Sequence, residues 1–469
     1  MSEVVAHGSR RWVPGNRWDL VADEVRASSS SSPPSAHDAT SVAVIVAYFE
    51  QPASLQRCYA AVAGSALDPQ RHELIVVDDG SSSPPPRPPT NFPLPVHVVR
   101  QADLGCRPGA ARNLGAATTD ADVLVFLDAD TLPGPGCIAR LAAWPGIVPD
   151  VLVVGRRRHV DLSGWSPAET VAWLNGDRAP PPARPDPMWL ADGYRQTGDL
   201  LDADDRSFRY VISAVMACHR SLFDDVGGFD ADRAEYGGED WDLAYRAFNN
   251  GALLVHEPEA VAWHDEPDWG WRDGRLEQKN TETLWLSSAI PEPSSRGAGL
   301  IRRYSDVLVV LDPKDACTDG QLVATLLSLL DALGDVAVHV PPDLSADVRA
   351  AVRADPRVRP RPPDRNELLR ARTLVTLTTA ATWDRHGLGD VIDEVRPGRC
   401  GVITLHDGHR LVACVESTRA RGRRRRASAF GVTAEALAAL FTTKARVAED
   451  VGLRPLRDDV DLAALFGRW

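Results

Sequence analysis

The chain has 469 residues, 44% of them apolar and 25% charged, a size beyond one ordinary domain that implies two or three compact units. Lys and Arg total 52 against 65 Asp and Glu, a formal net charge of −13. Bulk attraction to nucleic acid or an anionic membrane is thereby excluded, and only a local basic patch could supply it. The cysteines (Cys58, Cys106, Cys137, Cys218, Cys317, Cys400 and Cys414) form no CxxC pair, which excludes a zinc ribbon or disulfide framework and points to a reducing cytoplasm. No run approaches the roughly 18 apolar residues of a membrane span, and the opening MSEVVAHGSRRWVPGNRWDL has no apolar core of a secretory signal.

Residues 1–40 end in SSSSSPPSAHDATS, a composition unsuited to a core. They are expected to form a tail or linker, with Trp12 and Trp18 docking it on the surface. From Ser41 the text changes. Residues 42–47 are an apolar, β-branched run suited to a buried parallel strand. Residues 53–63 read as a helix, 73–80 as a second strand ending in acids and 96–100 as a third. A helix over 109–117 and a strand over 122–130, again ending in acids, follow. This alternation gives right-handed crossovers and a doubly wound α/β sheet, whose ligands bind at the carboxyl ends of strands, where both acidic clusters fall.

Residues 156–208, rich in Pro and Trp, read as a long irregular insertion, and 210–264 as a second regular stretch. A Pro/Ser/Gly linker over 291–299 puts a domain boundary near residue 295. Beyond it, residues 306–312 read as a strand, 321–333 as a helix and 336–341 as a strand. The expected domains are therefore 41–294 and 300–469. No internal repeat is legible in the residues.

Four motifs carry candidate chemistry. Asp78-Asp79-Gly80-Ser81 offers carboxylates to a base or ribose, the alternative being a simple turn. In Asp128-Ala129-Asp130 the two acids share one side of a strand end, and close carboxylates repel unless a cation lies between them. Hard oxygen ligands suit Mg²⁺ or Mn²⁺, and an acidic helix cap is the alternative. Gly237-Gly238-Glu239-Asp240-Trp241-Asp242 opens a helix on which Trp241, Tyr245 and Phe248 recur. Acids there suit the helix dipole, glycines allow close approach of a ligand, and a carboxylate could deprotonate a hydroxyl. His264 is either structural or a nitrogen ligand that Mn²⁺ accepts. Trp263, Trp269 and Trp271, with Trp165, Trp173 and Trp189 upstream, are candidates to stack on acceptor sugars or simply to anchor loops.

The segments VVDDGS (76–81), GAARNLGA (109–116), FLDAD (126–130), GGFD (227–230), GGEDWDL (237–243) and WH (263–264) carry a resemblance. From about residue 41 to 275 the chain resembles the family 2 glycosyltransferases of the GT-A fold, and its latter part is similar to β-galactosyltransferases with a GGED motif. The resemblance implies an α/β fold with a Rossmann-like mixed sheet, followed by a second, smaller α/β domain. It also implies that Asp78 and Asp79 hold uracil and ribose, that Arg112 lies near the nucleotide or diphosphate, and that Gly237 and Gly238 admit the donor. By the same resemblance Asp128 contacts the ribose or sugar beside the metal, Asp130 and His264 bind Mn²⁺ or Mg²⁺, and Asp240 is the base, with Glu239 and Asp242 positioning the acceptor. Two departures are Asp103, where Asn is commoner, and the proline-rich stretch after DDGS in place of the usual helix.

Residues 300–469 lack these motifs and are expected to be a non-catalytic partner. His406-Asp407-Gly408-His409 lies between two apolar runs and reads as a hairpin rather than a metal site. Arg419, Arg421, Arg423, Arg424, Arg425 and Arg426 read as a solvated basic loop. Its functional options are anionic lipid headgroups, a lipid diphosphate or an acidic polymer, not nucleic acid, since no aromatic platform is interleaved. The expected activity is inverting transfer from a nucleotide diphosphate sugar, a UDP-sugar, to a glycan, lipid-linked or secondary-metabolite hydroxyl. The expected location is the cytoplasm, peripheral at the inner membrane face through the basic run. The alternatives are a sugar-1-phosphate nucleotidyltransferase and a carbohydrate-binding relic.

Overall fold

The computed structural model describes residues 4–30, 40–65, 67–235, 237–265, 275–297, 299–314 and 316–467. It divides into two compact units, one of Glu3–Phe248 with Ala252–Leu284, the other of Asn249–Gly251 with Trp285–Trp469. The boundary thus falls about ten residues earlier than the Pro/Ser/Gly composition of 291–299 suggests.

In the first unit a hairpin, β1 (Val5–His7) and β2 (Arg10–Trp12), and helix α1 (Ala22–Ser30) precede the main sheet. These residues are no tail. Trp12 and Val13 are fully buried, Trp18 meets Trp144 edge-on, and the Asn16 amide donates to the carbonyls of Leu200 and Leu254. The Ser/Pro run misleads because it follows the apolar anchors in sequence; residues 31–39 fall outside the described residues.

The main elements then run β3 (Val42–Tyr48), α2 (Pro52–Ala63), β4 (His72–Asp78), β5 (Val96–Arg100), α3 (Pro108–Ala117), β6 (Val123–Asp128), β7 (Thr131–Pro133), α4 (Cys137–Ile147) and β8 (Val151–Val160). Within the span read as irregular lie α5 (Pro167–Leu174), β9 (Ala183–Arg184) and α6 (Met188–Gln196), the first closed by a Ser166–Glu169 capping box. After them come β10 (Val215–His219), α7 (Arg220–Val226), α8 (Glu239–Asn249), β11 (Leu253–His264) and α9 (Arg275–Ala289).

These strands form one sheet in the order β5-β4-β3-β6-β10-β8-β11-β7, with β9 beside β8. The pairs β3–β4, β4–β5 and β3–β6 are parallel, and β10 lies antiparallel between β6 and β8. Apolar runs such as VAVIVAY and VLVFL are buried on both faces, as central parallel strands require. β4 passes to β5 without a helix, as the prolines imply. The register of β11 against β8 shifts between Glu257 and Val261. Such a bulge re-aims a strand, and the far end of β11 pairs with β7, His264 opposite Thr131.

The second unit carries α10 (Pro293–Arg296), β12 (Val307–Leu311), α11 (Asp319–Ala332), β13 (Val336–His339), α12 (Ala346–Val352), β14 (Val358–Arg359), α13 (Arg365–Arg370), β15 (Thr373–Leu377), β16 (Ala381–Trp383) and α14 (Arg385–Glu394). It continues with β17 (Val402–Asp407), β18 (Arg410–Ser417), α15 (Thr418–Ala429), α16 (Ala434–Ala438), β19 (Thr443–Val447), β20 (Leu453–Pro455) and α17 (Leu462–Leu465). Its main sheet has the order β14-β13-β12-β15-β18-β17-β19. Asp407 pairs with Arg410 across the expected hairpin, with Gly408 at positive φ. The basic run is a helix rather than a solvated loop, because Arg419, Arg423 and Arg426 are buried and Arg421 and Arg424 pair with Glu416. Arg421 and Arg425 remain exposed and Arg424 partly so, and these three are the charges of the run that face outward. No helix among the described residues is long and apolar enough to cross a membrane, and all the cysteines are free.

Candidate active site

The carboxyl ends of β4 and β6 and the start of α8 supply the expected acids. Asp78 and Asp79 leave β4 buried. Asp78 accepts from the Ser81 amide at 2.9 Å and lies 3.4 Å from the Arg100 guanidinium. Asp79 accepts from the Gln101 side chain and from the Arg107 amide at 2.8 Å. Burial nevertheless raises its pKa above the ordinary carboxylate value.

Arg112 joins two parts of the site. One guanidinium nitrogen donates to Asp128 at 2.6 Å and another to Glu239 at 3.2 Å. Its ring partner is Phe229, 5.3 Å from the guanidinium carbon. Arg112 is buried, and although burial works against its charge, Asp128 and Glu239 outweigh that and raise its pKa. The motif after β6 and the motif opening α8, far apart in sequence, are thus held by one side chain.

Asp130 and His264 form a second pair. The ring Nδ1 lies 3.3 Å from Asp130 Oδ1 and 3.1 Å from the Thr131 hydroxyl. Both are buried, and Asp130 Oδ1 has no hydrogen-bond partner. Against the cost of burial, each holds the other charged, lowering Asp130 and raising His264. Arg157 contributes to the field at both, and His159 packs edge-on at 5.1 Å from the His264 ring. Among the described residues no group of three or more His, Cys, Asp and Glu side chains comes together to hold a metal. The chain therefore offers a two-residue O/N set, with Asp128 committed to Arg112. Such a set fits Mg²⁺ or Mn²⁺, which take remaining ligands from phosphate and water.

Asp240 follows a double glycine, Gly237 at φ 94° and Gly238 at φ 89°, a left-handed pair that other residues adopt at a cost. It keeps part of its surface open. Its Oδ1 accepts from the Trp241 amide at 2.8 Å and its Oδ2 from the Ser213 amide at 3.4 Å. Burial, then the neighbouring Glu239, push its pKa up to about 7, with Arg112 opposing. That value suits a base working near neutrality.

Two expected acceptor contacts are placed elsewhere. Asp242 is fully buried and held by Arg246 at 2.6 and 2.9 Å. Helical spacing turns it to the opposite flank of α8, where it anchors the helix with no open oxygen for an acceptor. Trp263 alternates with His264 on β11, packs against Trp173 at 5.1 Å, and carries Arg158 over its ring. That engagement makes it a packing residue. Trp269 and Trp271 lie outside the described residues.

Sequence reading missed Glu282 on α9, whose carboxylate lies 3.0 Å from where a Gly237 Cβ would stand. Burial, then Glu239, raise its pKa. No motif marks it, because it joins the site from a helix distant in sequence. The Trp241 ring meets Trp189 at 6.3 Å, which stacks on Tyr210 and is 44% exposed.

Residues 42–223 match the family model described as glycosyl transferase family 2, and residues 203–259 the one described as the N-terminal domain of galactosyltransferase. The chain is 27% identical over 186 residues to the hyaluronan synthase of Pasteurella multocida, spanning 37% of this chain and 19% of that one. It is 33% identical over 158 residues to a pre-mycofactocin glycosyltransferase of Mycobacterium tuberculosis, spanning 34% and 30%. Over 266 residues it is 28% identical to the validoxylamine A glucosyltransferase of Streptomyces hygroscopicus subsp. limoneus, spanning 52% and 55%. It thus spans less than a third of the length of the first two relatives and about half of the third.

The curled mixed sheet with acids at its strand ends, together with these matches, defines a glycosyltransferase domain of the GT-A type. Within the first unit, residues 42–223 are similar to glycosyl transferase family 2 and residues 203–259 to galactosyltransferases.

Proposed function

We propose that the first unit transfers a sugar from a UDP-sugar to an acceptor hydroxyl with inversion at the anomeric carbon. One observation carries this reading: Arg112 clamps Asp128 and Glu239 together. The strand-end acids that face a donor and the α8 acids that face an acceptor therefore share one site. Asp78 and Asp79 hold the uridine. Asp130 and His264 hold Mn²⁺ or Mg²⁺, which when bound neutralises charge on the departing diphosphate. Asp240 takes the acceptor proton as the hydroxyl attacks the anomeric carbon and the nucleotide diphosphate leaves on the opposite face. Glu239, fixed by Arg112, keeps Asp240 basic through its own charge. The half-exposed aromatic group of Trp189, Tyr210 and Trp241, next in sequence to Asp240, suits an acceptor sugar face.

Release of UDP from a panel of UDP-sugars, with Mn²⁺ and candidate glycans, tests this. Turnover is expected to require metal and to collapse in Asp240→Ala and Asp130→Ala; unchanged rates in both variants would overturn it. Pyrophosphate release from UTP and a sugar phosphate would instead indicate a nucleotidyltransferase, and glycan binding without turnover a relic.

A further inference from the structure

The two units repeat one topology. Count the principal strands of the first unit in chain order as β3, β4, β5, β6, β8, β10, β11, and those of the second as β12, β13, β14, β15, β17, β18, β19. Across each sheet the order is then third, second, first, fourth, sixth, fifth, seventh. Strand directions agree as well. In each unit the sixth strand is antiparallel to the fourth and fifth, the seventh is parallel to the fifth, and the first lies parallel between the second and fourth.

Short elements correspond too. A three-residue strand and a helix, β7 and α4 or β16 and α14, separate the fourth strand from the fifth. β7 pairs antiparallel with the end of β11, and β16 pairs antiparallel with β20. The amide of Asp265 donates to Asp130 O at 3.0 Å, and the amide of Leu456 donates to Ala380 O at 2.9 Å. Gly134 N to Val261 O is likewise matched by Asp384 N to Gly452 O. These bonds fix the equivalence residue by residue, with no sequence match needed.

At the counterparts of Asp128, Asp130 and His264 no carboxylate or imidazole remains. Asp130, immediately before β7, becomes Ala380 immediately before β16. His264, paired with Thr131, becomes Pro455, paired with Ala381. Asp128 becomes Thr378, whose hydroxyl donates to Leu411 O at 2.6 Å. By strand register Asp78 and Asp79 correspond to Pro342 and Asp343, so one of the two acids after β4 keeps a counterpart after β13. The place of α8 is taken by α16, which opens Ala434-Glu435-Ala436. The chain that follows Pro455 also lies across the start of α11. The Gln321 side chain donates to Leu456 O and Asp458 O at 3.2 and 3.1 Å, and a Cβ on Gly320 would stand 2.6 Å from Val460 O.

We infer that the second unit is a duplicated transferase fold whose donor site has been dismantled, leaving one nucleotide-sugar site per chain. This rests on the donor reading of the first unit. A chain with one donor site adds sugar from that site alone, so a product alternating two sugars needs a second transferase to supply the other.

The test is binding of UDP in the presence of Mn²⁺ to the full chain, by calorimetry and by nucleotide-dependent hydrogen-exchange protection. One UDP per chain is expected, with protection confined to residues 42–264, and Asp130→Ala with His264→Ala is expected to remove it. Two equivalents, or protection within 306–455 that survives the double variant, would overturn the inference. No binding at all would overturn the donor reading of the first unit, and the count of one with it. The variant Thr378→Ala, which alters only the second unit's counterpart of Asp128, is expected to leave stoichiometry and affinity unchanged; a tenfold loss of affinity would count against the inference.

Discussion

At Asp240, burial and the charge of Glu239 favour the neutral carboxyl, with a pKa of about 7, while Arg112 opposes them. A base must be ionised, so UDP release is expected to rise with pH through about 7 and to level off above it. In Asp240→Asn, kcat falls by about 10²–10⁴-fold, with the donor KM little changed. Stability runs the other way. The fold favours the protonated form, so that contribution is whole below the unfolded value of 3.8 and is lost as pH climbs through about 7. Asp240→Asn is therefore expected to be more stable than the parent at pH 8, by on the order of 1–2 kcal/mol after allowance for partial exposure, and nearly equal at pH 4. Thermal melts at the two pH values check the sign. Arg112→Met leaves Asp128 and Glu239 without their shared cation. The loss is expected to cost about 3–5 kcal/mol, read from the urea midpoint, and to remove activity.

The elements matter because they set where such residues stand. α3 lies so close to β3 and β4 that a Cβ on Gly115 would be 2.5 Å from Ile45 Cγ2 and 3.0 Å from Val77 Cγ2. Gly115→Ala is expected to push the helix outward at a cost of about 1–3 kcal/mol and to carry Arg112 with it. A lower melting temperature together with a reduced kcat/KM checks this; a melting change alone would separate packing from the clamp. The shift in β11 register works similarly, since without it the strand would not bring His264 opposite Thr131.

For the molecule as a whole, the N-terminal segment belongs to the first unit's core. Trp12 is fully buried, and Trp12→Ala is expected to cost about 3–5 kcal/mol, visible as a lower urea midpoint without a change in donor KM. The repeated topology adds that two sheets of one design can hold very different residues at their strand ends. Fold is maintained by buried apolar strands, and those survive in β12, β13 and β15, while strand-end chemistry is free to change.

The residues alone determined much of the first unit. β-branched runs gave β3, β4 and β6, turn residues gave the hairpin at Asp407-Gly408, and acids at strand ends marked Asp78, Asp79, Asp128 and Asp130, because those signals are local in the chain. They did not reveal that Asp128 and Glu239 share Arg112, that Asp242 turns into the interior, that Glu282 approaches Gly237, or that Arg419, Arg423 and Arg426 of the arginine run are buried. Each of these depends on which face of a helix meets which neighbour across more than a hundred residues or between separate elements, and only packing decides that. The repeat was hidden for the same reason. Backbone pairing preserved it while the side chains that spell a motif were replaced.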